Sequence, residues 1–323
     1  MTIRLASVLA ALLICETASA FPIKDKPVRL IVPFPPGAEA FDGTARVIAQ
    51  RLGPALGVPV VIENRPGAGA VIANQAVAAA PPDGHTLLYG VVTSFTMLPH
   101  QLSKRPYDEF RDFTPITHVA RSPLVLGMHP SVPGSNLQEV IAHAKAHPGK
   151  LSFASWQFGG MNHVYLEMLK LSSGAEMVHV PYKSPTDSLN DLLEGRIHLM
   201  MGGTSAFLSL ARAGRIKLIG ITSANRSPAL PEVGTFSEQG FAGFDYAGSV
   251  AVLGPANMPR DAVKRLNEEI ARILRAPEVI GFFVKVVPTF EVESSSPEAL
   301  GAMMKAQYDY MGPIIRRLGI RID

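Results

Sequence analysis

Residues 28–56 read VRLIVPFPPGAEAFDGTARVIAQRLGPAL, and the fold class follows from how this stretch divides. Val28 to Val32 is an apolar run interrupted only by Arg29 and rich in β-branched residues, the pattern of a strand. Pro33, Pro35, Pro36 and Gly37 end it in a turn. From Asp42 to Leu56 the residues Ala45, Ile48, Leu52 and Leu56 recur at intervals of three and four, which predicts an amphipathic helix. Strand, turn and helix in this order form the βα unit of an α/β protein.

The unit repeats outward from there. Strands are predicted over 58–62, 86–92, 124–128, 151–154, 178–180, 197–201, 216–221 and 250–253. Helices are predicted over 69–79, 137–146, 162–171 and 206–213. Beyond residue 253 only helices are expected, at 260–274, 278–286 and 297–318. The alternation predicts α/β architecture with largely parallel sheets. Two Pro-rich and polar segments, 99–123 and 227–245, interrupt it, and the region between them carries its own complete set of strands and helices. The chain is therefore expected to leave one domain, build a second and return. This gives domain 1 as 21–122 plus 248–323, domain 2 as 123–247, and a hinge of two crossing segments.

Composition narrows the function classes. The chain has 323 residues, 47% of them hydrophobic and 18% charged, too apolar for a disordered chain and long enough for two cores. The net charge is +3, but the basic residues are scattered, with no stripe for nucleic acid. Residues 1–20, MTIRLASVLAALLICETASA, have a basic start at Arg4, a short apolar stretch and an Ala18-Ser19-Ala20 cleavage motif. They read as a secretory signal peptide cut after Ala20, which places the protein in a periplasm. Cys15 is the only cysteine and lies in that segment, so no thiolate remains for a disulfide, a metal or a nucleophile. There is no phosphate-binding G-x-x-x-x-G-K and no G-x-S-x-G elbow. Gly67-Ala68-Gly69 lacks the third glycine of a dinucleotide fingerprint, because Ile72 stands there. His143 and His147 share a helix face without a third ligand beside them, so no cofactor and no metal are expected.

The candidate site lies at repeated junctions where a strand passes through a small-residue turn into a helix. They are Pro36-Gly37-Ala38 before Asp42, Thr93-Ser94 after the third strand, Ser155 to Asn162 before the helix beginning near His163, and Gly203-Thr204-Ser205. One such turn also suits an ordinary capped βα connection. Several of them on two domains sharing a hinge point to a ligand cleft, where open helix N-termini suit an anion. Gly37, Ala38, Ser155, Gly160, Gly203, Thr204 and Ser205 are the candidate donors. Asp42 either caps its helix or accepts from the ligand, and His163 either faces the cleft or packs. Ser155 and His163 are also the pair that a rival reading, an exported α/β hydrolase, would need.

At these residues the chain resembles the Bug, or TctC-like, family of periplasmic solute-binding proteins. The matching segments are RLIVPFPPG (29–37), DGTAR (42–46), VVIENRPGAG (60–69), PDGHTLL (82–88), HPGKLSFAS (147–155), HVPYK (179–183), ITSANRSPALPEV (221–233) and LGPANMP (253–259). The resemblance implies a two-lobed, type II, Venus-flytrap fold that closes on a small organic acid. It also implies no catalysis, a monomer, and delivery to the membrane permease subunits of a tripartite tricarboxylate transporter, or signalling through a sensor kinase. The chain departs from the family's P-G-G-x-x-D turn, with Ala38 at the second glycine and a longer spacing to Asp42. Trp156, Gln157 and Phe158 stand where the family has small residues, Gly160 replaces a serine, and Glu39 adds a negative charge. With Trp156, Phe158 and Phe41 expected to line the cleft, an aromatic or otherwise apolar monocarboxylate is predicted over citrate-like acids.

Overall fold

The computed structural model describes residues 21–245 and 248–322; the signal-peptide reading of residues 1–20 lies outside the described residues. Strands run over β1 Val28–Val32, β2 Val60–Asn64, β3 Thr86–Val91, β4 Phe113–Ser122, β5 Val125–Met128, β6 Leu151–Trp156, β7 Met177–Tyr182, β8 Leu199–Gly202, β9 Lys217–Ile221, β10 Gly248–Pro255 and β11 Glu291–Val292. Helices run over α1 Thr44–Leu56, α2 Val71–Ala78, α3 Thr93–Thr96, α4 Leu137–Ala146, α5 Met161–Ser173, α6 Pro185–Leu193, α7 Thr204–Arg212, α8 Arg260–Leu274, α9 Pro277–Val286 and α10 Pro297–Leu318.

The strands form two sheets, ordered β11-β4-β10-β3-β1-β2 and β7-β6-β8-β5-β9. Helices cover both faces of each, which gives the two-lobed α/β fold. In the first sheet Val28, Leu30 and Val32 enter one core while Ile31 enters the core on the opposite face. That is why Leu30, Ile31 and Val32 follow one another with no polar residue between them. In the second sheet Phe153 and Ala154 divide between two cores in the same way.

The expectation of largely parallel sheets needs correction, because both are mixed. β2, β1 and β3 are parallel, whereas β10 runs antiparallel to β3 and β4. β7, β6 and β8 are parallel, whereas β5 runs antiparallel to β8 and β9. The segment 99–123 is not merely a break, since its second half is β4, paired on both sides. Pro115 in β4 sits beside a register shift, where the missing N–H disturbs the ladder least. β11 follows β10, so the tail is not helical throughout, and α6 lies where no helix was expected. Ser184 caps α6 by accepting from the Asp187 N–H, with Pro185 at the first helical position.

Three stretches link the two sheets. The first is the step from β4 to β5, where Leu124 and Thr222 exchange two hydrogen bonds. The second is the return into β10. The third is α10, which the two-crossing expectation omitted. Its Leu300 and Met304 pack in the first lobe with Ile31 and Phe95, and its Met311 and Ile315 pack in the second with Leu126 and Phe153.

Candidate ligand site between the lobes

The first junction folds around Asp42 and closes on itself. Residues Glu39–Gly43 form a wide π turn ahead of α1, so the helix begins later than the periodicity suggests. The Asp42 carboxylate is buried and accepts from the Gly37 N–H at 2.9 Å, Arg46 Nε at 2.9 Å and Asn64 Nδ2 at 2.8 Å. Burial pushes its pKa up, but the hydrogen bonds from Arg46, Asn64 and Gly37 outweigh it and hold the group at about 2. Gly37 takes φ of 84°, which only the missing Cβ allows at low cost, and the Ala38 N–H donates to the Pro35 carbonyl. The Gly37 and Ala38 donors are thus committed within the turn, and Asp42 organises it. Phe41 stacks on Phe34 at 4.0 Å and packs on the first core rather than facing a cleft. The side chain of Glu39 lies outside the described residues.

The second and third junctions come together. Thr93, Ser94, Met97, Leu98 and Gln101 of the first lobe, with Gly69, face Gln157, Phe158, Gly159, Gly160 and Met161 of the second across a cavity of about 60 Å³. Ile322 completes the lining. The lobes touch here directly, because Gln101 Nε2 donates to the Gly159 carbonyl at 2.6 Å. Gly160 is the N-cap of α5 and brings no capping side chain, so the first N–H groups of that helix carry their positive dipole end toward the cavity wall. Ser94 Oγ is already used, accepting from Asn74 and donating to the Val91 carbonyl. Gln157 holds φ of 59°, a costly conformation for a non-glycine residue, at this same wall.

The other candidates lie elsewhere. Trp156 packs on the second lobe's outer core, close to Gly202. Alternation along β6 sends Ser155 to the opposite face, where its hydroxyl meets His179 Nε2 at 2.7 Å. His163 is buried and stacks on His179 at 4.1 Å. Its Nδ1 accepts from the Gly159 N–H at 3.0 Å. Burial, with His179 and the Lys170 ammonium adding to it, lowers the His163 pKa to about 4. Thr204 is buried and shares a hydrogen bond of 2.5 Å with Thr289 of the first lobe, a second bond across the lobes. Gly203 caps α7 with no side chain beside it, and Ser205 is exposed. Neither lines the cavity.

This placement removes the hydrolase pair. Ser155 is fully buried and bonds to His179, not to His163. His163, Glu167 and His179 bring one ligand atom each within 4.8 Å of the others. They do not fit a metal, because the lone pair on neutral His163 already points at the Gly159 amide. Lys170 ion-pairs with Glu167 at 3.0 Å. Sequence reasoning missed Gly69, Gln101 and Ile322, while Gln157 fell inside the Ser155 to Asn162 junction without being picked out as a site residue. Gly67-Ala68-Gly69 was visible as a tight turn, and nothing local marks Gln101 or Ile322.

Known proteins agree with this architecture. BugT of Bordetella pertussis is 31% identical over 96% of this chain and 94% of its own. A protein from a tcbD-tcbE intergenic region of Pseudomonas sp. strain P51 is 34% identical over 90% of this chain and 85% of its own. Among solved structures, the periplasmic binding protein BugD superposes with a TM-score of 0.74 at 29% identity, covering 91% of this chain and 98% of its own. An R. palustris protein with adipate reaches 0.77 at 31% identity, with the same coverage. MatC from Rhodopseudomonas palustris with bound malate reaches 0.74 at 26%, covering 91% and 100%. The tripartite tricarboxylate transporter family receptor, TctC, matches residues 44–320. The chain belongs to this Bug/TctC-like family of periplasmic solute-binding receptors, which bind and do not catalyse.

Proposed function

We propose that this protein captures a small monocarboxylate between its lobes and hands it to the permease subunits of a tripartite tricarboxylate-type transporter. The observation that carries the reading is the interlobe cavity set against the uncapped start of α5. A carboxylate leaves water only where donors replace its hydration, and helix N–H groups supply them. The solved relatives with adipate and malate support an acid as ligand. Both of those ligands carry two carboxylates. Among the described residues no Lys, Arg or His lines the cavity, and Met97, Leu98, Phe158 and Ile322 make much of its wall apolar. One carboxylate with an apolar tail matches that division.

The aromatic preference rests on Phe158, since Phe41 and Trp156 pack on the cores. A cavity this small favours a short tail over a ring. Domains 21–122 plus 248–323 and 123–247, with the second half of α10 packed on the latter, would move about the links at β4–β5, before β10 and along α10, and export would end with cleavage after Ala20. Native mass spectrometry of freshly purified protein tests the ligand class. A co-purified small monocarboxylic acid is the expected result, and a citrate-like acid would overturn it. N-terminal sequencing of periplasmic protein should begin at Phe21, and an intact Met1 would refute export.

A further inference from the structure

One wall of the cavity comes from the segment that follows α10. Gly319 ends that helix with φ of 67° and turns the chain back. Ile320 then anchors in the second lobe's core. The Ile322 N–H donates to the Gln101 carbonyl of the first lobe at 3.2 Å, and its side chain lines the cavity with Leu98 and Phe158. Gly159 lies against it so closely that a Cβ there would come within 2.6 Å of Ile322 Cγ2 and 3.2 Å of Gln101 Nε2. Ile322 is therefore fixed at three points: by its own backbone bond, by the buried neighbour Ile320, and by the face of Gly159.

We propose that Ile322 determines the chain length of the acid this pocket admits. The inference rests on the carboxylate reading above. With the carboxylate at the start of α5, beside Gly160 and Met161, the tail must occupy the apolar part of the cavity, and Ile322 bounds that part. Leu98 belongs to the first lobe and Phe158 to the second, and Ile322, which contacts both lobes, bounds the cavity where they meet. A β-branched side chain is stiff, so it acts as a stop rather than a cushion. Each further methylene that fits tightens binding about fourfold, and one that meets the stop loses this gain.

The test is a calorimetric titration of the full chain with acetate, propionate, butyrate, pentanoate and hexanoate. Wild type is compared with Ile322→Ala and Ile322→Phe, both of which keep the backbone bond to Gln101. Wild type should show an optimum length. Ile322→Ala should move it to longer acids and tighten hexanoate about tenfold with acetate little changed, and Ile322→Phe should move it to shorter ones. The same optimum in all three proteins overturns the proposal. If the wild type binds dicarboxylates but no monocarboxylate, the reading of one carboxylate fails. The series from malonate to adipate, run on the same variants, then decides the role of Ile322 by the same criterion. Binding of neither class overturns both.

Discussion

Asp42 shows how one side chain shapes a junction without touching the cavity. Removing it strands the Gly37 N–H, Asn64 Nδ2 and the Arg46 guanidinium at once. Asp42→Ala should therefore cost about 2–3 kcal/mol in urea unfolding. A carboxylate held at about 2 when folded, against about 3.9 when unfolded, stabilises the fold above the higher value, and the gain is lost as pH falls toward the lower one. The stability gap between wild type and Asp42→Asn should shrink as the pH is taken from about 4 to about 2. His163 acts in the same direction, although here it is the neutral form that the fold favours. Its folded pKa of about 4 lies below the unfolded value of about 6.5, so the unfolded chain takes up the proton first. Stability should fall as pH drops through this window, by up to about 3 kcal/mol. His163→Gln, which keeps an acceptor for Gly159, should flatten that limb of the pH–stability curve. An unchanged limb would place the sensitivity elsewhere.

At the scale of elements, α10 decides how the protein unfolds. Met304 is buried in the first lobe and Ile315 in the second, on one continuous helix. Losing either lobe leaves half of this helix without a partner. Met304→Ala and Ile315→Ala should each cost about 2–5 kcal/mol and lower a single shared transition. Fluorescence of Trp156, the only tryptophan, reports the second lobe, and far-ultraviolet circular dichroism reports both. Coincident midpoints are the expected outcome, and separated ones would show that α10 does not couple the lobes. The loop before α5 is a second element under constraint. Gly159 has φ of 78° and almost no room for a Cβ, so Gly159→Ala should weaken ligand binding more than stability, because the contacts it displaces, Ile322 and Gln101, are cavity walls.

For the whole molecule the question is closure. The lobes are bridged by Gln101 to Gly159 and by Thr204 to Thr289. Thr204→Val keeps the shape but leaves the Thr289 hydroxyl buried and unpaired in the closed form alone. A loss of about 1 kcal/mol would weaken ligand affinity about fivefold without lowering the stability of either lobe. Small-angle scattering should show a smaller radius of gyration at saturating ligand for wild type. An unchanged radius would contradict closure about the links between the sheets.

How far the sequence reached differs between these scales for physical reasons. Periodicity is local, so α4 and α8 were legible to the residue, and β1 likewise, because burial on one or two faces imprints itself on consecutive side chains. β4 escaped because a Pro-containing strand with buried Thr117 and His118 looks polar until its two neighbours pair with it. Site residues were legible as a class of turn but not as a set. The sequence marked Thr93, Ser94 and Gly160, which meet at the cavity, with the same signal as Gly37, Gly203 and Ser205, which do not line it. Whether a glycine N–H is free depends on what accepts it, and only the fold shows that Asp42 already accepts from Gly37. By itself the sequence determined the α/β class, the existence of two lobes and the resemblance to carboxylate-binding receptors. The tertiary structure alone decided that Gln101 and Ile322 close the pocket, because those contacts join residues 58 to more than 200 positions apart and leave no trace in local spacing.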